Sequence, residues 1–357
     1  MSDSARPCIS GNLYINGQWT GTETSITNVS PSDTADVIGH FAQASLEHVS
    51  DAIAAANHAV GDWGRSPMET RYSVLMAIGN ELIERSRELG ELLAREEGKT
   101  HAEGIGEVYR SGQFFHYFAG EVHRQIDDRT DSVRPGIEVD TRREPVGVVA
   151  VISPWNFPMA TAVWKIAPAL AFGNSVVFKP ANLVPASAWA LTEIISRQSA
   201  LPAGTFNLVM GSGSTVGDAI INSDKIHAVS FTGSLPVGRE VAKATAANLV
   251  KCQLEMGSKN ALIVAADADL DVAVNAAFVG AYSGTGQKCT ASSRLIVDEA
   301  IHDQFVDKLV AKLRSTTVGH ALAEGVDMGP VASRQQLDEN LAWIEDGLSE
   351  GANLVFG

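Results

Sequence analysis

Val146-Gly147-Val148-Val149-Ala150-Val151-Ile152-Ser153-Pro154-Trp155-Asn156-Phe157-Pro158 changes character halfway along. Its first seven residues form one of the longest apolar runs of the chain, rich in β-branched valine and isoleucine. That run is far too short to cross a bilayer, which takes about 20 residues, so it reads as a buried strand. Two prolines then lock a loop that places a tryptophan and an asparagine directly after the strand. The Asn156 amide can donate to a developing oxyanion. A structural asparagine in a rigid turn is the plainer alternative.

Downstream of this strand the pattern repeats. Apolar strands are predicted at 175–179, 205–209, 227–231 and 250–254, separated by helical stretches at 159–171, 186–198, 214–222 and 236–247. Strand–helix alternation with valine-rich strands implies an α/β fold: a parallel sheet covered on both faces, here a Rossmann-like coenzyme-binding domain. In such sheets ligands sit beyond the carboxyl ends of the strands. The residues that follow each strand are therefore the ones to weigh.

Upstream, a short β-like entry at 12–19 leads into helices. Leu46, Val49, Ile53, Ala56, Val60 and Trp63 recur at three- and four-residue spacings behind a cap at Ser45. Leu75, Ile78, Leu82, Leu89 and Leu92 continue the pattern to Gly98, a C-terminal cap, and a third helix is expected over 101–122. Residues 127–145 turn polar, with Ile137, Val139 and Thr141 alternating. They read as a protruding two-stranded arm, either a surface hairpin or an edge that pairs with another subunit. From Glu255 a second α/β unit follows, with strands at 260–264, 293–297 and 353–356 and helices at 270–280 and 300–313. The expected division is 1–126 with 146–254 as the coenzyme domain, 127–145 as an oligomerisation arm, and 255–357 as a partial catalytic domain.

The 357 residues carry a net charge of −15, so no basic stripe is available to neutralise nucleic-acid phosphates. A local lysine or arginine can still hold an anionic substrate. Residues 1–12 lack the apolar core of a secretory signal, and no membrane segment is expected. Three cysteines, none in a C-x-x-C arrangement, argue against a disulfide framework or a metal site and favour a reducing, cytoplasmic setting.

Cys289 lies in Gly286-Gln287-Lys288-Cys289-Thr290-Ala291-Ser292-Ser293-Arg294. A lone cysteine is more often a small buried hydrophobe than a nucleophile. Here Gly284 and Gly286 favour an irregular, partly exposed approach, and Lys288 is placed to stabilise a thiolate. Cys252, in an apolar strand pattern, reads as core, and Cys8 has no assigned role. Glu255, directly after an apolar strand, is expensive to bury unless paired or functional, and burial would make it a stronger base. A strand-end surface acid is the alternative. Lys179 closes another strand, where an ammonium can meet ribose or phosphate. Gly211-Ser212-Gly213-Ser214-Thr215-Val216-Gly217 and Phe231-Thr232-Gly233-Ser234 can offer backbone N–H groups to a pyrophosphate, although neither is G-x-G-x-x-G.

Taken together and in order, these strand-end elements resemble the aldehyde dehydrogenase superfamily over essentially the whole chain. The matching stretches are Ser153–Pro158, Val177-Phe178-Lys179-Pro180-Ala181, Phe231-Thr232-Gly233-Ser234, Leu254-Glu255-Met256-Gly257 and Gly286-Gln287-Lys288-Cys289-Thr290. The resemblance implies the aldehyde dehydrogenase fold, NAD or NADP as cofactor, an aldehyde substrate, and a homodimer or homotetramer. It implies that Cys289 attacks the aldehyde while the Asn156 side chain and the Cys289 backbone N–H hold the oxyanion. A thiohemiacetal is a better hydride donor than a free aldehyde. Glu255 then activates the water that hydrolyses the thioester, and Lys165 resembles a lysine implicated in proton movement. Ile152, Pro154 and Trp155 line the dinucleotide path, with Gly213 and Gly257 beside it. Lys179 reaches the adenosine ribose, and Gly233 with Ser234 the pyrophosphate. The segments 254–260, 285–294 and 165–174 look most like α-ketoglutaric (2,5-dioxopentanoate) semialdehyde dehydrogenases. Succinic semialdehyde and general aldehyde dehydrogenases are the competing expectations.

Three departures stand out. Asn182 replaces a glutamate found in many NAD-preferring members, which removes repulsion against a 2′-phosphate and implies that NADP is accepted as well as NAD. Ser258 replaces a glycine usual beside the nicotinamide. The C-terminal part of the family pattern, including a second glutamate on the nicotinamide ribose, is absent, so the catalytic domain is expected to be incomplete. Two other classes compete: a cofactor-free cysteine thioesterase, and a catalytically silent dinucleotide-binding protein. The first lacks a histidine near Cys289 or Glu255, and the second has no need to keep Cys289, Glu255 and Asn156 together.

Overall fold

The computed structural model describes residues 8–124 and 127–357; residues 1–7 and 125–126, assigned above to the first unit, lie outside it. A seven-stranded sheet forms its centre, in the order Lys251–Met256, Ala228–Gly233, Val148–Ile152, Ser175–Lys179, Phe206–Leu208, Leu13–Ile15, Gln18–Thr20. The first five strands run parallel and the last two join antiparallel. Chain order reverses between Val148–Ile152 and Ala228–Gly233, and the crevice outside that reversal is where doubly wound sheets bind ligands. The opening apolar run thus forms the strand at the switch point. Val148, Ala150 and Val151 are fully buried in it.

Helices cover this sheet for the reason their apolar spacing suggests. The helix Leu46–Gly64 is capped by Ser45, whose hydroxyl accepts from the His48 N–H. At its far end Trp63 is fully buried, and its indole N–H donates to Leu170 O at 3.0 Å. The helix Ala160–Ala171 packs on Val148–Ile152 and Ser175–Lys179, backed by Met68–Glu84 and His101–Val122. The pattern expected to run unbroken from Leu75 to Leu92 divides at Arg85 into Met68–Glu84 and Ser86–Glu97. Gly98 does close the second helix, at φ 99°, a left-handed conformation that glycine adopts without steric cost.

A three-stranded sheet of Ile9–Gly11, Val37–Ala42 and Ser25–Val29 flanks this layer. The arm is a two-stranded antiparallel hairpin, Asp128–Asp131 with Glu138–Thr141, exposed along both strands. Beyond Glu255 a smaller core forms around Val264, Val274, Ala277, Phe305 and Leu309, under the parallel pair Ala261–Val264 and Arg294–Val297. Two expectations fail here. Residues 353–356 form no strand, and the preceding segment is instead the helix Arg334–Ser349. Cys252 is exposed, because Lys251–Met256 is an edge strand with a partner only at Ala228–Gly233.

Candidate active site

One cavity of about 840 Å³ lies outside the carboxyl ends of the parallel strands. Ile152, Pro154, Trp155, Asn156, Lys179, Gly213, Gly233, Ser234, Gly257 and Cys289 all line it, so ten of the thirteen residues singled out in the sequence converge. Glu255, Lys165 and Asn182 do not line it.

The nucleophile candidate approaches on an irregular turn. Gly284, Thr285 and Gly286 all have positive φ, at 61°, 56° and 69°. A β-branched residue in that region is strained, so its neighbours must hold it there. The Gly284 N–H donates to Glu103 Oε1 at 2.7 Å, and the Thr285 hydroxyl donates to Gly329 O at 3.1 Å. Asn260 Nδ2 donates to Cys289 O at 2.8 Å, anchoring the far side of the loop. Cys289 itself is exposed. Lys288 does not turn its ammonium toward the thiol as the sequence suggested. That group donates to Val279 O and Ser283 Oγ at 2.9 and 2.6 Å, and burial lowers its pKa against the pull of Glu103.

Asn156 is tied to the same loop, its Nδ2 donating to Gln287 O at 2.8 Å, two residues before Cys289. Its own carbonyl accepts from Lys99 Nζ at 2.8 Å. Lys99 is buried against Glu107 Oε2 at 2.6 Å and stacks 3.9 Å over the Phe157 ring. The other Glu107 oxygen accepts from the Met159 and Ala160 N–H groups, each at 3.0 Å. Burial alone would lower the Lys99 pKa, but Glu107 and Glu97 outweigh it and the net shift is upward, so the group stays charged.

Glu255 falls inside the strand Lys251–Met256 rather than after it, and it is exposed, so the expected burial is not met. Gln253, two residues earlier and hence on the same face of the strand, donates from Nε2 to Glu255 Oε1 at 2.8 Å. The Gln253 oxygen accepts from Lys165 Nζ at 3.1 Å and from Ser230 Oγ at 2.6 Å. Lys165 also donates to Ser230 Oγ at 3.1 Å, and burial lowers its pKa to about 8 although the Glu255 charge opposes the shift. A polar chain therefore links Lys165 to Glu255 behind the cavity.

The dinucleotide-path residues fit an anionic cofactor. Ser234 caps the helix Leu235–Ala247 without its hydroxyl bonding the helix, which leaves that N-terminus open toward the cavity. Nothing lies within 4 Å of where a Cβ on Gly213 or Gly257 would sit, so backbone is open to close approach there. Among the described residues Lys179 Nζ donates only to Pro180 O, at 2.9 Å, and burial lowers its pKa to about 8. Gly213–Gly217 forms a π-helical turn behind a Ser212 cap. Asn182 stands aside, its amide 3.5 Å from Gln43 Oε1. Among the described residues no group of three His, Cys, Asp or Glu is placed to hold a metal, and no helix is long and apolar enough to cross a membrane.

The sequence reading missed Lys99, Glu107, Gln253, Ser230 and Asn260. Only Gln253 carried a usable signal, its two-residue spacing from Glu255 on one strand.

A strand-end cavity of this kind, lined by a cysteine on an irregular turn and by an asparagine whose amide is tied to the same loop, defines a dinucleotide-type α/β enzyme. The chain belongs to the aldehyde dehydrogenase family, whose sequence profile matches residues 19–357. It is 42% identical over 348 residues to an alpha-ketoglutaric semialdehyde dehydrogenase of Bacillus subtilis, covering 96% of this chain and 71% of that protein. A 2,5-dioxopentanoate dehydrogenase of Saccharolobus solfataricus is 38% identical over 339 residues, covering 94% and 70%. Among solved structures, betaine aldehyde dehydrogenase of Staphylococcus aureus in complex with NAD+ superposes with a TM-score of 0.95 at 34% identity, covering 97% of this chain and 69% of that one. A 3,6-anhydro-L-galactose dehydrogenase with NADP bound superposes at 0.94 and 31% identity, covering 98% and 73%.

Proposed function

We propose that this protein oxidises an aldehyde to a carboxylic acid with NAD or NADP, and that the aldehyde is α-ketoglutaric (2,5-dioxopentanoate) semialdehyde. The observation that carries the reading is the shared cavity of Cys289, Asn156 and the strand-end residues that suit a dinucleotide. The substrate rests on the two relatives named for it.

In this reading the Cys289 thiolate adds to the carbonyl carbon, forming the C–S bond as the C=O π pair moves onto oxygen. Asn156 Nδ2, released from Gln287 O, and the Cys289 N–H donate to that oxyanion. A dinucleotide held along Ile152, Trp155, Gly233 and Ser234 would supply the acceptor for the hydride that leaves carbon as the carbonyl re-forms. Glu255 takes a proton from water, whose oxygen attacks the thioester carbon, and the C–S bond breaks to return the thiolate and release the acid. Lys165 holds or moves a proton behind Glu255 through Gln253. Ser234, Gly233 and Gly213 meet the pyrophosphate, Lys179 the adenosine ribose, and Ile152, Pro154, Trp155 and Gly257 the remaining path. Asn182 leaves room for a 2′-phosphate. Residues 1–126 and 146–254 serve as the coenzyme domain, 255–357 as part of the catalytic domain, and the exposed hairpin in 127–145 as the arm of a cytoplasmic homodimer or homotetramer.

The test is NAD(P)H formation with 2,5-dioxopentanoate by the purified chain beside a Cys289→Ala control. Turnover lost in the control supports the reading; turnover that survives it, or none with either cofactor, counts against it.

A further inference from the structure

A second cavity, of about 430 Å³, shares Phe157, Trp164 and Lys288 with the cavity that holds Cys289. Its charged lining is Lys99, Lys288, Arg110, Glu103 and Glu107, a surplus of one positive charge inside a chain of net −15. Those charges are not equivalent. Lys99 and Glu107 neutralise each other at 2.6 Å, and Glu103 is engaged by Gly284 N–H and the cap of its own helix. Lys288 is bound to a carbonyl and a hydroxyl. Arg110 donates to the neutral Gln113 Oε1 at 3.0 Å, and no carboxylate lies within ion-pair distance of it among the described residues.

Arg110 is also held in place. Its guanidinium stands 5.2 Å over the Phe114 ring, and Phe114 meets the shared Trp164 edge-on at 6.2 Å. An aromatic wall therefore runs from the shared boundary of the two cavities to an arginine with free donors. Planar guanidinium forks match carboxylates in two parallel hydrogen bonds.

We propose that Arg110 is the specificity determinant for an aldehyde whose far end is a carboxylate: the chain of the substrate lies along Phe157 and Trp164, and its carboxylate pairs with Arg110. This rests on the dehydrogenase reading above and adds the residue that selects an acidic aldehyde over a neutral one. Arg110 is exposed on the helix His101–Val122, so its replacement does not disturb the core.

The experiment compares kcat/KM for 2,5-dioxopentanoate and for pentanal in the wild type, Arg110→Gln and Arg110→Lys. Losing a charge-assisted pair lowers the value for the acid by roughly ten- to a hundredfold, mainly through KM, while pentanal changes less than about twofold. Arg110→Lys recovers part of the loss. Equal losses on both aldehydes, or none on the acid, overturn the assignment. If the wild type oxidises neither aldehyde, the dehydrogenase reading fails separately, and alkylation of Cys289 by iodoacetamide decides about Arg110. Protection by glutarate that disappears in Arg110→Gln sustains the site, and an absence of protection in the wild type removes it.

Discussion

Gln253 donates to Glu255 Oε1 at 2.8 Å while its carbonyl oxygen lies 3.1 Å from Lys165 Nζ, so a neutral amide separates a carboxylate from an ammonium that would otherwise attract each other. The arrangement orients Glu255 without neutralising it. Replacing Gln253 by leucine removes one hydrogen bond to a charged group at each end, a loss of about 1.5–3 kcal/mol per bond at most. Acid release is expected to slow by about tenfold or more, while the first turnover of NAD(P)H formation keeps its rate. Rapid mixing checks this: a burst followed by a slow steady state is the expected trace. Equal slowing of both phases would assign Gln253 to folding alone.

Lys179 gives a pH signature. Burial holds its pKa near 8, against an ordinary value of 10.5. An anionic cofactor needs the protonated form, so its affinity falls as pH rises above about 8, by up to about tenfold per pH unit. Lys179→Arg, always charged, should show a flat profile by fluorescence titration of NAD(P)H. The sign for stability is opposite. Between about 8 and 10.5 the unfolded lysine binds more protons than the folded one, so this residue makes stability rise with pH in that window.

Lys99 supports the site from below. Lys99→Met strands the Glu107 carboxylate in a buried position and frees the Asn156 carbonyl, and breaking a buried pair from one side costs about 3–5 kcal/mol. The double variant Lys99→Met with Glu107→Gln removes the orphaned charge and is expected to be more stable than Lys99→Met alone. Urea unfolding of the four proteins measures the difference; a double variant as unstable as the summed singles would contradict it.

In the proposed function, cofactor choice turns on position 182. The wild type is expected to use NADP as well as NAD, and Asn182→Glu to weaken NADP by about tenfold with little change for NAD, because only NADP brings a second anion to that carboxylate. Paired KM measurements test it. A wild-type preference of several hundredfold for NAD would remove the role of Asn182.

The parallel sheet was legible because Val148–Ile152 and Ser175–Lys179 carry valine-rich apolar runs that end in abrupt polar residues, and the same punctuation pointed to Asn156, Lys179 and Gly233. Cys289 was legible through its flanking glycines, which do adopt left-handed conformations. Burial at the sheet edge was not legible. Cys252 and Glu255 sit in an apolar pattern, yet their strand has one neighbour, and periodicity does not report how many neighbours a strand has. Nor could spacing reveal Lys99, whose contact with Asn156 spans 57 residues, or Glu107, whose contact with Met159 spans 52. Lys288 misled for a related reason: adjacency to Cys289 in sequence says nothing of where a long flexible side chain finds its acceptors.

The strand order has a temporal side. Val148–Ile152 gains its partner Ser175–Lys179 early in synthesis, but the neighbour on its other edge, Ala228–Gly233, is translated about 49 residues after Lys179. At 5–20 residues per second that edge of the nascent chain waits roughly 2–10 s, with valine-rich backbone unpaired. Ribosome pausing inside 180–228 would lengthen the wait, so codon choice there, rather than any side chain, is a lever on the yield of soluble protein.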